Sequence, residues 1–148
     1  MTLKQGQLKE LLSLAQGRGY LVMAEKDTTI SVPGYKVKES IPIALSSGWN
    51  LVGIHGHSRR YTAKSLINSI NSIEGLKANN VTFWPTNRGM YQGYQQSEGQ
   101  AYGQDFPIVK DLGYFIRISE FNPKQSGCKS ILWNPGGQKN GECGTQLN

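Results

Sequence analysis

Trp84, Tyr91, Tyr94 and Tyr102 fall in one short stretch of the chain and are interleaved with Asn87, Arg88, Gln92, Gln95 and Gln96. Flat rings bordered by amides suit a sugar, because the ring faces stack on C–H groups while the amides bond hydroxyls. The same set suits base stacking on single-stranded nucleic acid, and it suits a protein interface, where Tyr and Trp are enriched. The four rings and Arg88 are therefore the candidate ligand-binding residues. The simpler alternative is structural: aromatics favour strands, and Trp84 with Tyr91 would make a cross-strand core pair. Side-chain direction narrows the choice. Tyr91 and Tyr94 are three apart, so in a regular strand one points inward and the other outward; a bulge at Gly93 would instead place both on one face.

Two further constellations could do chemistry. His55 and His57 would share one side of an extended strand, a pattern that suits zinc, copper or nickel. They fall short of the usual three or four ligands, so neither a metal nor another cofactor is expected, and a polar loop is the alternative. Arg59, Arg60 and Lys64 gather cations just before a helix start, where free N–H groups and the macrodipole favour an anion; a solvated charged loop is the alternative. Catalytic patterns are thin. No GxSxG, HExxH, P-loop or GxGxxG occurs; the acid pair Asp105 and Asp111 flanks one strand on one face, which alone is a weak signal, and Cys128 has no placeable partner histidine, so no enzyme is expected. Cys128 and Cys143 sit in polar, Gly-rich flanks (SGCKS, GECGT), which favours a disulfide between them.

The elements that must position these residues are mostly short strands. Alternation over 20–24 and 28–32 reads as a hairpin. SIPIAL (40–45) follows as an edge strand or strand start because of Pro42, and WNLVGI (49–54) is apolar enough to be central, with Trp49 buried. Further strands are expected over 80–84, 89–95, 105–109, 113–119 and 130–133. Residues 96–104 read as a polar loop and 134–148 as frayed. One clear helix runs from Thr62 to about Ile73: Thr62 is a fitting N-cap, and Leu66, Ile67, Ile70 and Ile73 form a single apolar stripe. A shorter helix is expected over 3–15.

Composition bounds the class. The chain has 148 residues, 37% hydrophobic and 18% charged, with 18 glycines. That is one domain's length, too apolar for disorder and too sparsely charged for a long solvated bundle. The result is a mainly β (β-rich α+β) expectation, a two-layer sandwich or partly closed barrel with one covering helix. No apolar run approaches a membrane span. The net charge of +6 would attract anions, but 16 cations do not make a dense basic stripe.

The chain also echoes itself. Shifted by 94 residues, Gly19-Tyr20-Leu21-Val22 falls on Gly113-Tyr114-Phe115-Ile116; a looser echo, outside that register, sets Trp49-Asn50 on Trp133-Asn134. SGWNLVGI, then a helix, VTFW, RGMYQGY, DFPI and LGYFIRIS together resemble a repeat domain of large bacterial and archaeal secreted or cell-surface proteins. Those domains open with a Gly-Trp-Asn-Leu strand and close with a Gly-Tyr-Phe strand. HGHSRR (55–60) departs from that pattern. The resemblance implies a division into a preceding repeat's tail (1–37), a repeat domain (38–121) and a Gly-rich tail (122–148). It implies a non-catalytic structural or adhesion module of an extracellular surface protein, with neighbouring repeats as partners. The alternative is a carbohydrate- or nucleic-acid-binding module using the aromatic patch and the basic loop. A glycan or another surface protein is the expected ligand, and nucleic acid is disfavoured as a partner. No signal peptide is visible, so a fragment of a larger extracellular or cell-surface chain is expected.

Overall fold

Strict alternation governs the longest strand. Along Gly113–Phe121, Tyr114, Ile116 and Ile118 are buried, while Arg117 and Ser119 between and beyond them are exposed, the period-two signature of a sheet covered on one side. The computed structural model describes residues 14–35, 39–54, 60–137 and 140–144. Its elements are β1 (Ile43–Leu45), β2 (Gly48–Gly53), α1 (Ala63–Asn71), β3 (Leu76–Phe83), β4 (Gln92–Ser97), β5 (Gln100–Tyr102), β6 (Gly113–Phe121) and β7 (Ile131–Trp133). Five strands form an antiparallel sheet in the order β2-β6-β3-β4-β5, and β1 pairs with β7 in a second. Among the described residues the fold is thus mainly β, with two sheets, one short helix and no closed barrel.

The helix begins and points as its sequence requires. The Thr62 side chain accepts from Ser65 N, and the Ser65 hydroxyl accepts from Thr62 N, a reciprocal capping box. Ala63, Leu66, Ile67 and Ile70 are all fully buried, and α1 packs on β3. The second sheet reaches the helix through Trp133, which is fully buried and donates its indole N–H to Ser69 Oγ at 3.0 Å. Tyr61 meets the Trp133 ring edge-on at 5.9 Å and donates its hydroxyl to Pro135 O at 2.6 Å. Both sheets therefore share one core.

The Gly-Trp-Asn-Leu segment has a clear local logic. Gly48 turns the chain from β1 into β2 at φ +85°, a region that L side chains rarely adopt. Asn50 closes that turn: its amide donates to Ser46 O at 2.9 Å and Gly48 O at 3.1 Å, and its Oδ1 accepts from Ser46 N at 2.9 Å. The Gly-Tyr-Phe segment lies directly beside it, with Val52 facing Tyr114 and Gly53 facing Gly113 across the β2–β6 ladder. Tyr114 is fully buried, and its hydroxyl accepts from Val109 N at 2.9 Å. Burial pushes its phenol above the ordinary range, against the opposing effect of that hydrogen bond.

Several expectations change. Residues 20–35 form no hairpin; they run extended and exposed, and only 17–19 join the sheet, where Arg18 bridges Val52. β2 lies at the end of the five-strand order rather than in its centre, and Trp49 is 56% exposed because its strand turns that side to solvent. The 105–109 stretch makes only a bridge, Thr62 to Pro107. Residues 98–99 are a two-residue hairpin turn with φ of 49° at Glu98 and 79° at Gly99, creating β5 where a loop was expected. The tail is held: Leu132 N donates to Glu142 O at 2.8 Å and Gly144 N to Ser130 O at 2.9 Å. Cys128 and Cys143 form a disulfide. The 3–15 helix falls almost wholly outside the described residues.

Two outcomes follow from this packing. Trp133→Ala removes the ring that joins both sheets to α1 and is expected to cost about 3–5 kcal/mol, read as a lower urea midpoint. An unchanged midpoint would refute that role. Cys128→Ser is expected to remove roughly 3 kcal/mol under oxidising conditions, as a ~15-residue loop is opened, and the parent's intact mass should fall short of the reduced formula by two hydrogens.

Candidate functional site: the outer face of the five-stranded sheet

Alternation that fills the core with one set of side chains must send the other set outward. In β6 the outward set is Phe115 and Arg117, in β2 Trp49 and Leu51, in β3 Asn80 and Thr82, and in β4 Gly93 and Gln95. The registers place them in rows. Trp49 faces Arg117, Arg117 faces Asn80, Asn80 faces Gln95, and Gln95 faces Tyr102. This row crosses all five strands, about 19 Å at the usual strand spacing. Beside it runs a second row, Leu51, Phe115, Thr82 and Gly93.

Both ends of the first row are aromatic, with Trp49 56% and Tyr102 54% exposed. Its middle is polar. Asn80 Nδ2 approaches Gln95 Oε1 at 3.5 Å, and Thr82 Oγ1 donates to Asn80 Oδ1 at 2.6 Å. Farther along β3 and β6 from Arg117, Lys77 is paired with Glu120 at 3.4 Å. The Arg117 guanidinium makes no ion pair or hydrogen bond among the described residues.

The aromatic stretch singled out in the sequence borders this face. Trp84 meets Tyr91 edge-on at 4.8 Å, and Tyr91 meets Phe115 at 5.9 Å. Trp84 and Tyr91 are 42% and 52% exposed, so their pair sits on the outer face rather than in the core. Arg88 lies exposed in the turn between β3 and β4. Tyr94 does not belong to the site: it is 4% exposed and faces Val81 in the core, and its hydroxyl accepts from Gln96 Nε2 at 3.2 Å. The strand is regular at Gly93, which faces Thr82 without a bulge, so Tyr91 and Tyr94 point to opposite sides. At the far end of the face, Tyr20, Leu21 and Val22 border a cleft of about 200 Å³ against Leu51, Trp84 and Phe115.

The helix start is supplied from within the chain. Lys64 N donates to Asp105 Oδ1 at 2.9 Å, Ala63 N to Phe106 O at 2.9 Å and Ser65 N to Thr62 Oγ1 at 3.2 Å. These bonds use the N–H groups of the helix start that an added anion would need, while the Arg60 and Lys64 side chains are exposed. Asp105 is a capping group here. His55, His57 and Arg59 lie outside the described residues, and no group of three or more metal-ligating residues occurs among the described ones.

Trp49, Arg117 and Asn80 were missed by sequence reasoning. A usable signal existed for one of them: Arg117 breaks the apolar run GYFIRIS at a position that period two sends away from Tyr114 and Ile116. Trp49 was hidden because WNLVGI reads as continuously apolar.

The two tryptophans on this face and the one in the core differ in accessibility. Acrylamide is expected to quench Trp49 and Trp84 emission while leaving Trp133 protected, resolved with single-Trp variants in which the other two are Phe. Strong quenching of a folded Trp133-only protein would contradict the placement.

No family model, no curated protein and no solved structure matches this chain.

Proposed function

We propose that this chain is a non-catalytic adhesion module of an extracellular surface protein, and that the outer face of its five-stranded sheet contacts a glycan-bearing surface. One observation carries the reading: a sheet with a single covered face turns Trp49, Trp84, Tyr91 and Tyr102 to solvent around the polar centre formed by Asn80, Gln95 and Arg117. Exposed aromatic area on this scale beside amides is characteristic of binding surfaces. The Cys128–Cys143 disulfide supports an oxidising compartment. No described helix is long and apolar enough to cross a membrane.

A second role, as a spacer between like repeats, is favoured by a separate observation. Tyr20 OH accepts from Ala15 N at 2.8 Å, and Tyr114 OH accepts from Val109 N at 2.9 Å. Both pairs are five residues apart, and both members shift by the same 94 residues as the sequence echo. The echo thus extends to a hydrogen bond as well as a spelling, in keeping with the resemblance to cell-surface repeat domains. Trp49 and Trp133 do not share it, since one is exposed and the other fully buried.

A glycan array covering neutral and charged polysaccharides tests the adhesion role. The protein should bind at least one glycan class, and Trp49→Ala should abolish that signal while circular dichroism stays unchanged. A folded protein that binds no glycan would sink the adhesion role and leave the spacer.

A further inference from the structure

Resting on the adhesion reading, we infer that the ligand is a linear, carboxylate-bearing polysaccharide laid across the strands along the row from Trp49 to Tyr102. The row has the features such a chain would need. Its length is about 19 Å, the span of five strands, enough for an extended oligosaccharide of several units. Its two ends are exposed rings able to stack on sugar faces. Asn80 and Gln95, with Thr82 alongside, present amide and hydroxyl groups to sugar hydroxyls.

Charge decides among ligand classes. Arg117 lies between Trp49 and Asn80 with no carboxylate partner among the described residues, and it is the cation that the strand registers place within this row. A guanidinium presents paired N–H groups that match a carboxylate. One such group in a row of neutral amides fits a glycan with spaced uronates. Single-stranded nucleic acid asks for a continuous cationic groove along its phosphates, and this row offers a single cation. A neutral glycan would offer the guanidinium only single hydroxyl acceptors, without the paired, charge-assisted match.

The test uses three immobilised probes: oligogalacturonate, the same oligomer fully methyl-esterified, and oligo(dT). Binding of the intact protein is read by biolayer interferometry at low salt, with Arg117→Gln and Arg117→Lys as variants and NMR spectra to confirm folding. Oligogalacturonate should bind. Esterification or Arg117→Gln should weaken it about tenfold or more, since a charge-assisted hydrogen bond is lost, and Arg117→Lys should restore only part. Equal binding of the free acid and the ester would overturn the inference while leaving the adhesion reading intact, provided Trp49→Ala still abolishes both. Tighter binding to oligo(dT), with a steep salt dependence, would overturn it in favour of nucleic acid. Binding to none of the three also overturns it; the adhesion reading then stands or falls on the broader array.

Discussion

Among the described residues, α1 and the small β1–β7 sheet together supply one covering layer for the five-stranded sheet, on one of its sides. Four helical residues, Ala63, Leu66, Ile67 and Ile70, reach complete burial, and Trp133 adds the ring that closes the gap to the second sheet. At roughly 1.5–3 kcal/mol for each large apolar side chain fully buried, this layer holds the molecule together. It also dictates everything on the opposite side. Once Val52, Tyr114, Ile116, Val81 and Tyr94 are drawn inward, period two leaves Trp49, Arg117, Phe115, Asn80 and Gln95 outside. The candidate site follows from the core by parity.

That parity also explains what was legible in the sequence. The helix was readable because its cap and apolar stripe are both local signals, and the observed Ala63–Asn71 falls inside the expected span. Strands with clean alternation, such as Gly113–Phe121, were readable for the same reason. Strands without it were not. The 21–32 stretch alternates well yet joins no strand ladder, because alternation states that a strand could form without supplying a neighbour. β5 escaped notice because its turn uses Glu98, a weaker signal than Asn or Asp at a positive φ. The site was half legible: the aromatic-rich stretch could be seen, but which rings face outward depends on pairing partners far away in sequence.

The opening and closing motifs gain a physical meaning from their pairing. Gly48 and Asn50 build the turn that starts β2, while Tyr114 anchors the start of β6 through Val109. Since Gly53 faces Gly113, the two motifs join side by side, although about sixty residues separate them, which costs about 2 kcal/mol more closure entropy than a short hairpin. The Tyr20 hydroxyl accepts a hydrogen bond of the same spacing from Ala15 N, just after residues 17–19, which lie along β2.

The sheet's two borders are unlike one another. On one, residues 17–19 occupy the free edge of β2, with Gly19 N donating to Leu51 O and Gly53 N to Gly17 O. On the other, β5 is only Gln100–Tyr102, reached through a tight turn. An occupied edge has few hydrogen-bonding groups left to template a foreign strand, and a three-residue edge gives one too short a ladder to hold. Among the described residues, both borders of this sheet thus offer a foreign strand only a short free ladder, while the aromatic face presents side chains rather than backbone groups.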